Sequence, residues 1–299
     1  MKTLKFIKDW ALPIAMITGA VAYHPLSYCS FLTPHLIFLM LFVTFSKMSP
    51  REMCIHPAHF LLLGIQLFGS LAVYAAVNLY HPVVAQGAFI CVIIPTATAA
   101  AVITGLLGGN VAFLASYVLL CNIAVAIAAP LLLPIIGHNE SIPFWEAFFR
   151  ICREVAPILL LPLLFAWLIR YMLPKVNAVI LGIRNLTFYL WAVALAIVTS
   201  KMVKFFAEQE NPDYAVELSL AAASLIICVA QFLVGRRIGK HYGDPVSSGQ
   251  GLGQKNTILA MWMAQAYLNP ISSVAPATYI LWQNIINSYQ LWRKNRISK

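Results

Sequence analysis

The sequence predicts an all-α membrane protein with ten transmembrane helices, and three observations support this fold class. Hydrophobic residues make up 61% of the 299 residues and charged residues 10%, with a mean hydropathy of +0.81, whereas a soluble domain has roughly 25% charged residues. Apolar stretches of about 20 residues, the length of a membrane-crossing helix, fill the chain between short polar joints. The basic residues gather in alternate joints. We therefore expect one transmembrane domain over residues 1–299.

The ten predicted spans are the apolar runs that lie between charged or Pro/Gly-rich joints. They fall near 10–26, 30–47, 58–80, 84–107, 111–136, 151–173, 184–207, 214–235, 243–267 and 270–292. The lysines before the first run are also typical of a cleaved signal peptide. Cleavage would spoil the repeat described below, so we predict that this run stays as the first span.

The distribution of charge predicts the orientation in the membrane. With the N-terminus inside, fifteen of the twenty basic residues and only three of the ten acidic residues fall in inner joints. The positive-inside rule then predicts a multi-pass protein of the bacterial inner membrane with both termini in the cytoplasm. A net charge of +10 can also indicate nucleic-acid binding, but these basic residues do not share one solvated face, so we expect no nucleic-acid partner.

Two of the predicted spans contain helix breakers in their middle. Span 4 is predicted to break at Pro95–Thr98 and span 9 at Ser247–Gln254, because proline removes a backbone donor and repeated glycines disfavour helix. Each break lies in the fourth span of a five-span half, which predicts a five-plus-five inverted repeat over about 1–138 and 147–299. Gln66 and Gln231 occupy matching spans. Alternatively, the proline and glycines of these two spans only kink the helices or allow close packing.

These two segments resemble the bile acid:sodium symporter family. The resemblance covers Pro95–Thr104 and Gly109–Ala112 in span 4, Gln250–Asn256 in span 9, and the span count over nearly the whole chain. It implies ten helices in an inverted repeat, with discontinuous helices 4 and 9 that cross each other. It also implies transport of an organic anion by rocking of a helix panel against a core that carries the crossing.

The departures from the family pattern concern sodium. Where sodium-dependent members carry side-chain oxygens or a carboxylate, this chain has Ala100, Ala101, Leu114, Val118 and Gln250. Lys255 stands where the family has Asn. A hard cation needs several oxygen ligands, so we expect that sodium coupling is lost and that the protein uses no metal or other cofactor.

Lys255 is the centre of the predicted substrate site. A lysine at mid-membrane costs roughly 2.5–3.5 kcal/mol, which marks it as a functional residue. Its ammonium can take the place of the coupling cation and pair with a substrate carboxylate, release and take up a proton, or only snorkel to a water-filled crevice. The predicted substrate-binding residues are Lys255, Gln254, Gln250, Thr98, Gln66, Asn256 and Thr104.

The predicted function is sodium-independent secondary transport, or facilitated passage, of a small organic anion such as a bile acid-like molecule or a small carboxylate. The expected partners are this anion and the lipid bilayer. One alternative is a proton-coupled symporter that uses Lys255, and another is a membrane binding or sensor protein of the same fold without transport. We expect no enzyme activity, because the spans contain no paired carboxylates, no nucleophile and base set, and no HExxH motif.

Overall fold

The computed structural model describes residues 11–47, 55–97, 100–137, 143–183, 186–208 and 213–297, and every regular element in these ranges is a helix. Two short 3-10 helices, Tyr28–Leu32 and Pro270–Ser273, accompany the α-helices. The α-helices are α1 Ala11–Val21, α2 Tyr23–Ser27, α3 Thr33–Ser46, α4 Pro57–Asn78, α5 Pro82–Ile93, α6 Ala100–Leu107, α7 Val111–Gly137, α8 Phe144–Met172, α9 Pro174–Gly182, α10 Leu186–Ala207, α11 Tyr214–His241, α12 Pro245–Gly253, α13 Thr257–Tyr267 and α14 Val274–Ile297.

Within the described ranges, five helical stretches are long and apolar enough to cross a membrane. They are Tyr23–Ser46, Pro57–Asn78, Val111–Gly137, Phe144–Met172 and Tyr214–His241. The chain is thus an all-α protein with the helices of a multi-pass membrane protein. The first of these stretches runs through α2, a 3-10 helix and α3, where the sequence predicts an irregular joint between spans 1 and 2.

Some helices extend beyond the predicted spans. Helix α8 begins at Phe144 rather than at 151, and α11 ends at His241 rather than at 235. Hydropathy marks the stretch that suits the hydrocarbon layer, but a helix continues as long as its backbone hydrogen bonds are satisfied. The additional turns carry charged residues such as Glu146 and Lys240.

The chain divides into two compact units. Unit 1 comprises Met1–Lys47 and Pro157–Asp213, and in it α10 packs against α1, α2 and α3. Unit 2 comprises Met48–Ala156 and Tyr214–Lys299, and in it α11 packs against α12 and α14 while α4 packs against α5. Both halves of the sequence contribute to each unit. Those predicted site residues that the structure describes belong to unit 2.

Both predicted helix interruptions occur, but the second lies further along the chain than predicted. Helix α5 ends at Ile93 and α6 is assigned from Ala100, which agrees with the predicted break at Pro95–Thr98. In span 9 the glycine-rich stretch Pro245–Gly253 is helical, and the interruption falls between Gly253 and Thr257. The prediction of a break over Ser247–Gln254 is therefore corrected.

The glycines of α12 are close-packing positions rather than helix breakers. A Cβ on Gly249 would lie 2.6 Å from Cγ of Arg236, and one on Gly251 would lie 3.0 Å from Cδ1 of Tyr117. A Cβ on Gly253 would overlap the ring of Phe232. The absence of side chains lets α12 approach its neighbours closely, as small residues do between membrane helices.

Candidate functional site

The two interruptions meet and pair through their backbones. Thr96 and Lys255 form an antiparallel bridge. The N–H of Ala97 donates to the carbonyl of Gln254 at 2.9 Å, and the N–H of Asn256 donates to the carbonyl of Pro95 at 2.9 Å. Backbone polar groups that leave a helix inside a membrane need such partners, because lipid supplies none. The pairing joins the half-helices α5 and α6 to the half-helices α12 and α13. This junction of the two interrupted helices is called the crossing below.

Lys255 lies inside this crossing with 1% of its surface exposed. Its Nζ donates to the carbonyl of Val92 at 2.9 Å and to that of Ile94 at 3.2 Å. These carbonyls belong to the C-terminal end of α5, where the last turn lacks helical partners and the helix dipole is negative. The ammonium therefore lies where carbonyl oxygens attract a cation.

Thr96 makes the corresponding contact on the other side of the bridge. Its Oγ1 donates to the carbonyl of Gly251 at 2.5 Å. Gly251 lies four residues before Lys255, as Val92 lies four residues before Thr96, so each bridge residue reaches the end of the opposite half-helix. The two sides differ in charge, because one donor is a neutral hydroxyl and the other an ammonium.

Two glutamines hold the crossing from neighbouring helices. Gln66 of α4, fully buried, donates through Nε2 to the carbonyls of Ile93 at 2.7 Å and Ile94 at 3.0 Å. Its Oε1 accepts from the hydroxyl of Tyr117 at 2.8 Å. Gln66 thus satisfies carbonyls at the end of α5, including the Ile94 carbonyl that Lys255 also contacts, and it supports the crossing rather than projecting into an open cavity.

The second glutamine, Gln231 of α11, takes part in a related arrangement. Its Nε2 donates to the hydroxyl of Tyr279 at 3.0 Å and to the carbonyl of Cys91 at 3.2 Å. The hydroxyl of Tyr279 in turn donates to the carbonyl of Gly253 at 2.8 Å, at the end of α12. Each half-helix end is thus bound by a glutamine and tyrosine pair.

Sequence reasoning missed several of these residues. Tyr117 and Tyr279 lie within spans 5 and 10, and Oε1 of Gln283 accepts from the backbone N–H of Lys255 at 2.9 Å. The sequence signal that could have indicated them is a polar side chain inside an apolar span in both halves of the chain. A tyrosine in an apolar helix is common enough as a packing residue that its sequence position alone does not indicate this role.

The other predicted amides form a buried cluster beside the crossing. Nε2 of Gln250 donates to Oδ1 of Asn287 at 2.9 Å and to Oε1 of Gln290 at 3.1 Å. Oε1 of Gln250 and Oε1 of Gln254 are buried and have no hydrogen-bond partner. These two oxygens are neutral acceptors that a bound molecule or water can satisfy.

The remaining predicted residues have other positions. Asn256 caps α13, where its Oδ1 accepts from the N–H of Leu259 at 3.3 Å. Thr104 is fully buried in α6, its methyl lies near Gly109, and its hydroxyl has no hydrogen-bond partner. Thr98 lies outside the described residues.

Four of the five positions that the resemblance relates to sodium ligands carry apolar residues. Ala100 and Leu114 are fully buried, and Val118 is 1% exposed. Ala101 and Gln250 occupy the other two positions, so among these five residues Gln250 alone has a side-chain oxygen. In the part of the chain that the structure describes, no group of three or more His, Cys, Asp or Glu side chains could hold a metal ion.

Comparisons with known proteins add no identification. No protein-family model matches this chain, and no curated protein matches its sequence.

Proposed function

We propose that this protein is a sodium-independent secondary transporter or facilitator of a small organic anion, in which Lys255 takes the place of the coupling cation. The observation that carries the proposal is the position of the Lys255 ammonium on the carbonyls of Val92 and Ile94, where two interrupted helices cross. Interrupted helices that meet at mid-membrane are typical of the binding sites of secondary transporters. A lysine there can supply a positive charge that does not depend on sodium.

Ten spans in two inverted repeats are part of this proposal. Helices α5 and α6 contain 12 and 8 residues, and α12 and α13 contain 9 and 11. None of these four reaches the roughly 20 residues of a full span, but each consecutive pair does. The matched contacts of Thr96 and Lys255 support a repeat, since each bridge residue reaches the same carbonyl position of the opposite half-helix.

The chemistry of the crossing favours an anion as cargo. The N-termini of α6 and α13 follow the bridge, and the positive ends of their dipoles attract negative charge. An ammonium has three N–H donors, and two of those of Lys255 go to backbone carbonyls. The third can meet a cargo carboxylate, while the unpartnered oxygens of Gln250 and Gln254 can accept from cargo hydroxyl groups.

The test is uptake of radiolabelled carboxylates into proteoliposomes, with and without sodium. Wild type should transport an acid at the same rate in sodium and in potassium buffer. Lys255→Ala should lower uptake by at least about tenfold, the equivalent of 1.4 kcal/mol. Lys240→Ala, which removes an exposed lysine of the same unit, should leave uptake unchanged. Uptake that requires sodium, or that survives in Lys255→Ala, contradicts the proposal.

Two further measurements separate the alternatives. Lys255→Arg keeps the charge but cannot release its proton, so unchanged uptake in this variant excludes Lys255 as a proton carrier. Binding of an acid to the purified protein, with no uptake by any liposome preparation, would instead favour a sensor of the same fold.

A further inference from the structure

A polar cavity lies in unit 2, at the N-terminal ends of three helices. It has a volume of about 440 Å³, and its lining includes His56, Asn110 and Asp244, which precede α4, α7 and α12. Gly108 and Asn110 are exposed, so the cavity opens to the surface of the unit. Each helix N-terminus carries about half a positive charge and unsatisfied N–H groups.

The three ends are held firmly. The N–H of Asn110 donates to Oγ of Ser247 at 2.7 Å, and this hydroxyl donates to the carbonyl of Asn110 at 3.2 Å, which ties α7 to α12. Nδ1 of His56 accepts from the N–H of Ala58, so Nε2 is the nitrogen that carries the proton of the neutral ring. The Nζ of Lys294, bonded to the carbonyl of Leu106, lies 3.0 Å from where a Cβ on Gly108 would be.

Two polar atoms on the cavity lining have no protein partner. Ser248 is fully buried and its Oγ makes no hydrogen bond. Oδ2 of Asp244 is also buried and unpartnered, while Oδ1 accepts from the N–H of Ser247 at 2.9 Å. A buried carboxylate oxygen and a buried hydroxyl without protein partners are suited to a ligand that donates to the carboxylate.

We infer that this cavity binds a phosphate group that retains a proton, either free phosphate or a phosphate monoester. The helix ends and Lys294 attract the negative oxygens, and Oδ2 of Asp244 accepts the P–OH proton. Sulfate has no proton at neutral pH, so its oxygens would face the Asp244 carboxylate and be repelled. A phosphodiester such as a phospholipid headgroup also lacks the P–OH group and is disfavoured for the same reason.

The test is equilibrium dialysis of the purified protein with ³²P-labelled inorganic phosphate at constant ionic strength and at about pH 6, where inorganic phosphate and a phosphate monoester both retain a P–OH proton in a large fraction of molecules. Phosphate should be retained, and both sulfate and dimethyl phosphate should displace it at least about tenfold less well than unlabelled phosphate. Glycerol 3-phosphate serves to identify the source. If glycerol 3-phosphate displaces the labelled phosphate at a lower concentration than unlabelled phosphate does, the site is assigned to monoesters. If it needs a higher concentration, the site is assigned to free phosphate.

Variants make the assignment specific. Asp244→Asn keeps the helix cap, because asparagine caps as well as aspartate, and it should let sulfate compete as strongly as phosphate. Ser248→Ala should weaken phosphate retention several-fold without changing the preference. Asp213→Asn, a carboxylate that precedes α11 outside the cavity, is the matched control and should behave as wild type.

Three results would overturn the inference: no retention of phosphate, equal competition by sulfate in wild type, or an unchanged preference in folded Asp244→Asn. The readout is phosphate binding at the N-terminal end of α12, whereas Lys255 follows the C-terminal end of that helix. It therefore does not depend on whether the protein transports an anion. The Lys255→Ala variant should bind phosphate as wild type does.

Discussion

At the scale of the residue, the main finding is that buried polar side chains here serve backbone carbonyls. Lys255, Thr96, Gln66 and Tyr279 each donate to carbonyls at the end of a half-helix. An unpaired carbonyl in a membrane interior is costly, so each donor removes a penalty as well as making a bond. The presence of these four polar residues in an apolar chain is thus explained by its two helix interruptions.

The hydroxyl of Tyr117 provides a test at this scale. Tyr117→Phe removes the donor to Oε1 of Gln66 and should destabilise the protein by about 1–3 kcal/mol, because a buried acceptor loses its partner. Tyr74→Phe is the matched control, since the Tyr74 hydroxyl is buried without a partner, and this change should be neutral or slightly stabilising. The measurement is the unfolding midpoint in detergent. Equal shifts in the two variants would disprove the role of Tyr117.

At the scale of the element, glycine has opposite effects in different helices. Gly253 lies in α12 against the ring of Phe232, whereas a Cβ on Gly64 in α4 would meet nothing within 4 Å. The first glycine is required for packing, and the second only adds flexibility to the unfolded chain. Sequence alone does not distinguish them, because both occur within apolar helices.

A pair of alanine substitutions separates these effects. Gly253→Ala should destabilise by about 1–3 kcal/mol through overpacking against Phe232. Gly64→Ala should raise stability by about 0.5–1 kcal/mol, because alanine favours helix. Unfolding midpoints of the two variants should therefore move in opposite directions from wild type. A stabilised Gly253→Ala would show that α12 does not approach α11 as closely as described.

Proline and glycine differ in how well their positions in the sequence predict a helix interruption. Pro95 predicted the first interruption correctly, because a missing N–H acts locally and needs no knowledge of neighbours. The glycines of α12 led to a wrong predicted position for the second interruption. Whether a glycine breaks a helix or allows a close contact depends on what packs against it. The partners of Lys255 could not be derived for a similar reason: Val92 and Ile94 come near only when the crossing has formed.

At the scale of the whole molecule, each half of the sequence supplies part of each unit. Unit 2 combines Met48–Ala156 with Tyr214–Lys299, and it contains both interruptions. Hydropathy predicted the helical, membrane-spanning character of the chain, since that depends on composition and run length alone. The division into units depends on which helices pack together. The apolar runs have similar compositions, so their sequences do not indicate which of them are neighbours.

Reporter fusions test the proposed ten-span topology. A periplasm-active reporter such as alkaline phosphatase should be active when fused after Gly137 or Ala207, and a cytoplasm-active fluorescent protein should be bright after Met172 or Ile297. This alternation follows from ten spans with both termini inside. Activity of the periplasmic reporter after Ile297 would indicate an odd number of spans.

The backbone bridge between Thr96 and Lys255 also bears on how the chain is made. Its partners lie far apart in sequence, so the ribosome completes α5 and α6 long before α12 and α13 exist. Until then, the carbonyls of Val92 and Pro95 and the N–H of Ala97 lack the partners they have in the finished protein. These groups of the first half therefore need other partners, such as water, until the chain has been made as far as Lys255 and Asn256.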